Sequence, residues 1–210
     1  MILPDWPASS RVLALTTTRH AALPATPAAP RWLCQVHGAV CVVAEIALPQ
    51  TEADASVTRR PGVVCAVRTA DCLPVLLCDD EGTVVAAAHA GWRGLAAGVL
   101  ESTVREMGLP GERLLAWLGP AIGPEHFEVG GEVREAFIAA DPGAGDAFAA
   151  QGDGKWLCDL YALARRRLAV LGVRRVFGGG LSTFGDPDRF FSYRRDRETG
   201  RMASLIWIAG

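Results

Sequence analysis

Three side chains of this sequence have the types and settings to do chemistry together: His37 in "QVHG", Cys72 in "TADCLP" and His89 in "AAAHAGWRG". Each stands at the end of a strand-like run, beside small residues or a turn. Two imidazoles and one thiolate form a borderline-soft donor set that suits zinc. Three protein donors leave one tetrahedral position open, which separates a catalytic site from a closed structural one. That position would hold a water whose pKa falls to about 7, or would polarise a substrate oxygen. The competing reading is that the histidines are hydrogen-bonded core or edge residues and Cys72 a small core residue. Asp71 bears on the choice. An aspartate beside a buried strand needs a polar partner, so it marks one wall of a polar site. It is also the carboxylate nearest in sequence for moving a proton.

An anion would need cations. Arg93, Arg68 and Arg19 are the candidates, because the guanidinium offers a planar fork to phosphate. Arg93 follows Gly91 and Trp92 and opens a helix, where backbone N–H groups also favour anions. A plain surface arginine is the alternative for each. "RFFSYRRD" at 189–196 sets aromatics beside Arg194 and Arg195. It reads either as a wall that stacks a planar ring or as an edge strand with a charged end. Cys34 and His37 form a C-x2-H pair, but in an extended chain residues three apart face opposite ways. His20 and His126 read as solvated loop residues.

The elements that must position these groups follow from periodicity. Short apolar runs at 40–46, 63–67, 75–78 and 83–88 read as strands, several buried on both faces. "DDEG" at 79–82 is a tight turn, so the strands on either side form a hairpin. A helical face runs over 95–108, closed by Gly108. A strand follows at 114–119, then helices at 130–140 and 157–172, then a strand and glycine turn at 173–180. Segments 189–196 and 202–208 read as a last strand pair. Residues 21–30, "AALPATPAAP", form an Ala/Pro connection, and 141–155 reads as a mobile surface loop. Strands come early, helices in the middle and strands again at the end. That order predicts one α+β (mixed α/β) domain over 1–210, a mixed sheet with helices packed on it.

Bulk properties narrow the function classes. The chain has 210 residues, half of them hydrophobic, with Lys plus Arg 21 against Asp plus Glu 23. No basic face points to nucleic acid. No apolar run approaches the ~18 residues of a membrane span, and the first ten residues do not read as a signal peptide. The expectation is a cytoplasmic protein with no membrane or nucleic-acid partner. Its six cysteines are then reduced, with Cys41, Cys65 and Cys78 as small core residues.

In order, "QVHG", "TADCLPVLL", "AAAHAGWRGLAAGV", "LAWLGPAIGPEHFEVG" and "RFFSYRRDRETGRMA" resemble the signatures of the YfiH/YlmD group. That group is also called the polyphenol-oxidase or laccase-domain family; it includes the bacterial peptidoglycan-editing factor and animal FAMIN. The resemblance runs from about residue 31 to the C-terminus. It implies a CNF1/YfiH-like mixed α/β domain and a zinc held by His37, Cys72 and His89. It also implies purine nucleoside chemistry: phosphorolysis of adenosine, inosine, guanosine and methylthioadenosine, with adenosine deamination beside it. The partners implied are a nucleoside and phosphate. The sequence departs from the pattern at "TTRHAALPATPAAP", which lacks the usual glycines and a longer segment before QVHG. It also carries Ser182 where the family has cysteine.

Three other readings use the same residues. A metal-free Cys72 thiolate with His89 as base would make an amidohydrolase or deamidase, suited to peptidoglycan-precursor editing. His2Cys is also a blue-copper ligand set, so copper could substitute adventitiously and give polyphenol oxidase activity. A multicopper centre, however, needs more than the four histidines present, and Met1, Met107 and Met202 are not obviously placed as axial ligands. Last, the chain could hold zinc and a ligand without turnover. The oligomeric state stays open, a monomer being compatible.

Overall fold

The computed structural model describes residues 1–210. In chain order its elements are strands β1 (Val12–Thr16), β2 (Cys41–Val43), β3 (Ala55–Thr58), β4 (Cys65–Thr69), β5 (Leu73–Asp79) and β6 (Val85–Ala90). Helices α1 (Trp92–Ala97) and α2 (Val99–Met107) follow, then β7 (Leu114–Leu118), β8 (Glu128–Gly130), α3 (Gly131–Ile138), β9 (Phe148–Gly152) and β10 (Lys155–Cys158). The chain ends with α4 (Leu160–Val170), β11 (Arg175–Gly178), α5 (Tyr193–Asp196) and β12 (Met202–Ile208).

A six-stranded mixed sheet, in the order β11-β7-β5-β6-β3-β2, forms the centre. Its β11–β7 and β2–β3 pairs are parallel and the rest antiparallel. Strand residues alternate between faces, and here both faces are covered. Val75, Leu77, Ala86, Ala88 and Ala116 join one core with residues of α2 and α4. Leu76, Cys78, Val85, Ala87 and Trp117 join a second core with Val12, Val67 and Ile206 of the antiparallel β1-β12-β4 sheet. Double burial is why these strands read as unbroken apolar runs. The alanines of β6 keep its surface low where α1 and α2 lie across it. Mixed α/β is therefore the fold, as the sequence predicts.

Several local expectations are corrected. The single helix over 95–108 is two helices, because Gly98 takes φ +95°, a conformation that breaks a helix and that glycine adopts without steric cost. The helix expected at 157–172 starts later: Leu157 and Cys158 belong to β10, and Asp159 caps α4 by accepting from the Ala162 N–H at 2.9 Å. Segment 141–155 is no loose loop. It forms a 3-10 turn at Pro142–Ala147, the strand β9 and the start of β10, and β10 pairs with β9 on one side and β8 on the other in a small sheet. Its Gly/Ala composition hides a strand stabilised by neighbours rather than by propensity. Segment 189–196 is not a strand: Phe190 is fully buried, and Ser192 caps α5 by accepting from the Arg195 N–H. The last strand β12 pairs instead with β1 and β4. Strands β1 and β3 lie in stretches with no strand expectation. Residues 21–30 carry neither helix nor strand. No helix is long and apolar enough to cross a membrane.

The β5–β6 hairpin is closed by Asp79, a buried carboxylate. It accepts from the Thr83 N–H at 2.6 Å, the Thr83 hydroxyl at 2.7 Å and the Val84 N–H at 3.0 Å. Burial pushes its pKa up, but these three donors outweigh burial and hold it below the ordinary 3.8. A depressed folded-state pKa adds stability that is full above pH 4 and fades as pH falls through the folded value. Asp79→Asn is expected to cost about 1.5–3 kcal/mol, the scale of hydrogen bonds to a charged group. Urea unfolding at pH 7 measures this, and the gap to wild type should narrow in acid.

Candidate metal centre and the cleft above it

The hairpin register sets the site. Pro74 pairs with His89 and Leu73 with Ala90, so Cys72, one residue further out, lies beside Gly91. A Cβ on Gly91 would sit 2.8 Å from the Cys72 sulfur, so only glycine leaves the thiol its place. On the other side of β6, Ala55 pairs with Ala88, and the His89 N–H donates to the Asp54 carbonyl at 2.7 Å. Asp54 and Cys72 thus flank His89 at one end of three adjacent strands. His37 arrives from the loop before β2, with φ +60°. One ligand atom from each of His37, Cys72 and His89 lies within 4.8 Å of the others. The two imidazoles meet nearly edge to face, at 73°. Cys34 is not in this group.

One residue absent from the sequence reading organises the group. Asp54 is completely buried. One of its carboxylate oxygens accepts from His89 Nδ1 at 2.7 Å and the His37 N–H at 3.0 Å. The other accepts from the Gly38 N–H at 2.7 Å and the Val36 N–H at 3.2 Å. Burial pushes the Asp54 pKa up, but the bond from His89 and those from the backbone hold it below 3.8. An ionised carboxylate only accepts, so His89 Nδ1 carries the proton and Nε2 is left as the donor atom for an ion. A carboxylate behind a histidine is the usual outer support of a metal ligand. The signal in sequence is thin: an aspartate before "ASVT", a strand too short and polar to stand out.

Burial pushes the Cys72 thiol up, yet hydrogen bonds and charge from His37 and His89 bring it down to about 7 from 9.0. Burial disfavours a charged His89, but Asp54 and Cys72 raise it to about 9. Imidazolium and thiolate thus stabilise one another, and a bound cation would take the proton's place between them.

Above the three ligands opens a cleft of about 720 Å³. Asp71, Arg68 and Arg93 line it, and so do Trp92, Phe127, Tyr193, Arg194, Arg197 and Arg201. Arg19 does not. Its guanidinium donates to the Pro187 carbonyl and pairs with Asp196. Asp71 takes φ +94°. Its oxygens accept from the Thr183 hydroxyl at 2.6 Å and the Arg194 N–H at 2.7 Å. Gln35, the first residue of QVHG, clasps the backbone of Arg68 with both ends of its amide, at 2.8 and 2.9 Å. His126 is half-buried and stacks on Phe184 rather than standing in solvent. His20 is exposed.

Residues 8–209 match the family model described as multi-copper polyphenol oxidoreductase laccase. The chain belongs to this family, the YfiH family. Among its members, purine nucleoside phosphorylase PA4543 of Pseudomonas aeruginosa is 49% identical over 237 aligned positions, covering 99% of this chain and 98% of the relative. Purine nucleoside phosphorylase YfiH of Escherichia coli is 59% identical, over 87% of this chain and 75% of the relative. The crystal structure of Neisseria meningitidis NMB0706 superposes with a TM-score of 0.94 at 46% identity, covering 100% of this chain and 99% of the other. YlmD of Geobacillus stearothermophilus, at 24% identity, shares the fold with a TM-score of 0.86 over 97% of this chain and 94% of its own. The alignment to PA4543 is longer than this chain's 210 residues, so that YfiH-family relative carries residues this chain lacks.

Two substitutions probe the centre. Asp54→Ala removes the support of His89 and leaves three backbone donors unpaired. The affinity for a divalent metal ion, measured by chelator competition, should fall roughly 10–100-fold. Gly91→Ala should lower the same affinity by driving a methyl group against the sulfur, with the far-UV circular dichroism unchanged.

Proposed function

We propose that this chain is a zinc-dependent purine nucleoside phosphorylase acting on adenosine, inosine, guanosine and methylthioadenosine, and that it also deaminates adenosine. The observation that carries the reading is the shared cleft. A three-donor centre forms its floor, and aromatic and arginine side chains form its walls. The names borne by PA4543 and YfiH support the same reading.

The donor set fits zinc. Two nitrogens and one sulfur converge, the thiol is held toward its thiolate form, and Asp54 leaves His89 Nε2 free to bind. His37, Cys72 and His89 would hold the ion, which when bound supplies positive charge that polarises a substrate oxygen. Copper as an adventitious substitute is compatible with the same ligands, but this one three-donor group is far short of a multicopper centre.

In phosphorolysis, a phosphate oxygen bonds to C1′ of the ribose while the bond from C1′ to N9 breaks. The electron pair leaves with the purine, which takes up a proton. In deamination, water adds at C6 and ammonia leaves. Trp92, Phe127 and Tyr193 offer faces against which a purine can stack. The lining arginines, Arg93 and Arg68 included, favour an anion beside it. Asp71 has both oxygens engaged, which suits a brace between the Cys72 loop and α5 better than a proton carrier. The reading expects a compartment where nucleosides and phosphate are free, the cytoplasm.

The test is release of hypoxanthine from inosine. It should require phosphate, yield ribose 1-phosphate, and fall by orders of magnitude in Cys72→Ala together with bound zinc. Turnover independent of phosphate, or an unaffected variant, refutes the reading.

A second reading draws on one observation. Cys72, His89 and Asp54 lie in the order thiol, imidazole, carboxylate that activates a cysteine nucleophile. A metal-free amidohydrolase or deamidase would keep its activity after chelation and lose it on alkylation of Cys72. The zinc reading expects loss on chelation and recovery when the metal is restored.

A further inference from the structure

Five arginines line the cleft: Arg68, Arg93, Arg194, Arg197 and Arg201. None of them pairs with a carboxylate, although eight other arginines of the chain do. The one carboxylate among the lining residues, Asp71, already accepts two hydrogen bonds. The concavity therefore carries a large uncompensated positive charge, which draws an anion into it.

The five are not equivalent. Arg68 sits over Trp32, with its guanidinium carbon 4.2 Å from the ring centre, and Arg93 sits over Trp92 at 4.5 Å. Arg194 donates to the Glu128 carbonyl, and Arg201 to those of Thr199 and Gly200. The Arg197 side chain makes no hydrogen bond, ion pair or ring contact with the protein. Its backbone ends α5 at φ +59° and ψ −69°, a strained positive-φ conformation that a side chain rarely adopts and glycine tolerates. A bulky side chain kept where glycine would be easier is a mark of function rather than of folding. The segment is also well placed: the Arg194 N–H bonds Asp71, next in sequence to the ligand Cys72.

We infer that Arg197, flanked by Arg194 and Arg201, is the seat of a tetrahedral oxyanion. The inference deepens the proposed function, on which it rests for naming inorganic phosphate as that anion. The free fork of Arg197 takes two phosphate oxygens in a bidentate pair. The neighbouring guanidiniums supply charge without releasing their own carbonyls.

The experiment measures inorganic phosphate binding directly, by 31P line broadening of the full chain, beside inosine kinetics. The key variant is Arg197→Gly, which relieves the backbone while removing the fork; Arg197→Lys is the second. Arg174→Gln, an exposed arginine outside the cleft, is the control. Arg197→Gly should melt at or above the wild-type temperature and keep its zinc. Its phosphate affinity should fall roughly tenfold to a hundredfold, the scale of one or two charge-assisted hydrogen bonds. The KM for phosphate should rise in step while that for inosine stays put. Arg197→Lys should fall between the two, and Arg174→Gln should match wild type. Undiminished phosphate binding in Arg197→Gly, or none in wild type, overturns the inference. Phosphate bound through Arg197 with no cleavage of inosine would sink the phosphorolysis reading and leave the anion seat standing.

Discussion

The structure depends on one buried carboxylate. Asp54 is fully enclosed and ionised, a state that costs several kcal/mol per charge unless the protein supplies donors. Four donors surround it: three successive backbone N–H groups of the QVHG loop and the ring of His89. The arrangement fixes three things at once. It holds His37 in a left-handed turn, sets the tautomer of His89, and ties the loop to the sheet. Gly38 and Gly94 belong to the same constraint, since a Cβ on Gly94 would come within 2.7 Å of the Gly38 carbonyl.

The second constraint is the β5–β6 hairpin. A slip of one residue in its register would turn every side chain to the other face. That would part Cys72 from His89 and also bring Leu76 and Cys78 to the helices in place of Val75 and Leu77. The two cores, one on each face, make such a slip costly. Packing far from the cleft therefore sets ligand positions within it, and the Asp79 turn holds the far end of the same ladder. A metal site that must bring three distant stretches of chain together is best built where strand pairing has already fixed the distances.

The cleft joins two segments that the sequence keeps far apart. One bears Cys72 and His89; the other, around α5, bears Tyr193, Arg194, Arg197 and Arg201. Asp71 links them through Thr183 and the backbone of Arg194. Asp71, the carboxylate beside Cys72, is by its contacts a tie between the two walls. The positive-φ backbones of His37, Asp71 and Arg197 all lie on this cleft, which is where a fold tends to keep conformations it would otherwise avoid.

By itself the sequence determined the mixed α/β class, the hairpin around residues 79–82, the doubly buried strands and the trio His37, Cys72 and His89. Each of these is written in local signals: continuous apolar runs, a turn tetrapeptide, and rare donor residues beside glycine, aspartate and proline. The family motifs are local in the same sense. What the sequence left hidden is whatever long-range contact creates. Strands β1 and β3 are short, and their place in the sheets is set by pairing with β12 and β6. The 141–155 stretch is ordered by its neighbours, and the helix over 95–108 is split by the positive φ of Gly98. Only the tertiary structure decided that Asp54 stands behind His89, that Arg19 turns away to Asp196, and that Arg197 is left without a partner. Partnership is a property of distance in space, and a buried charge or a free guanidinium shows itself only once the chain has closed around it.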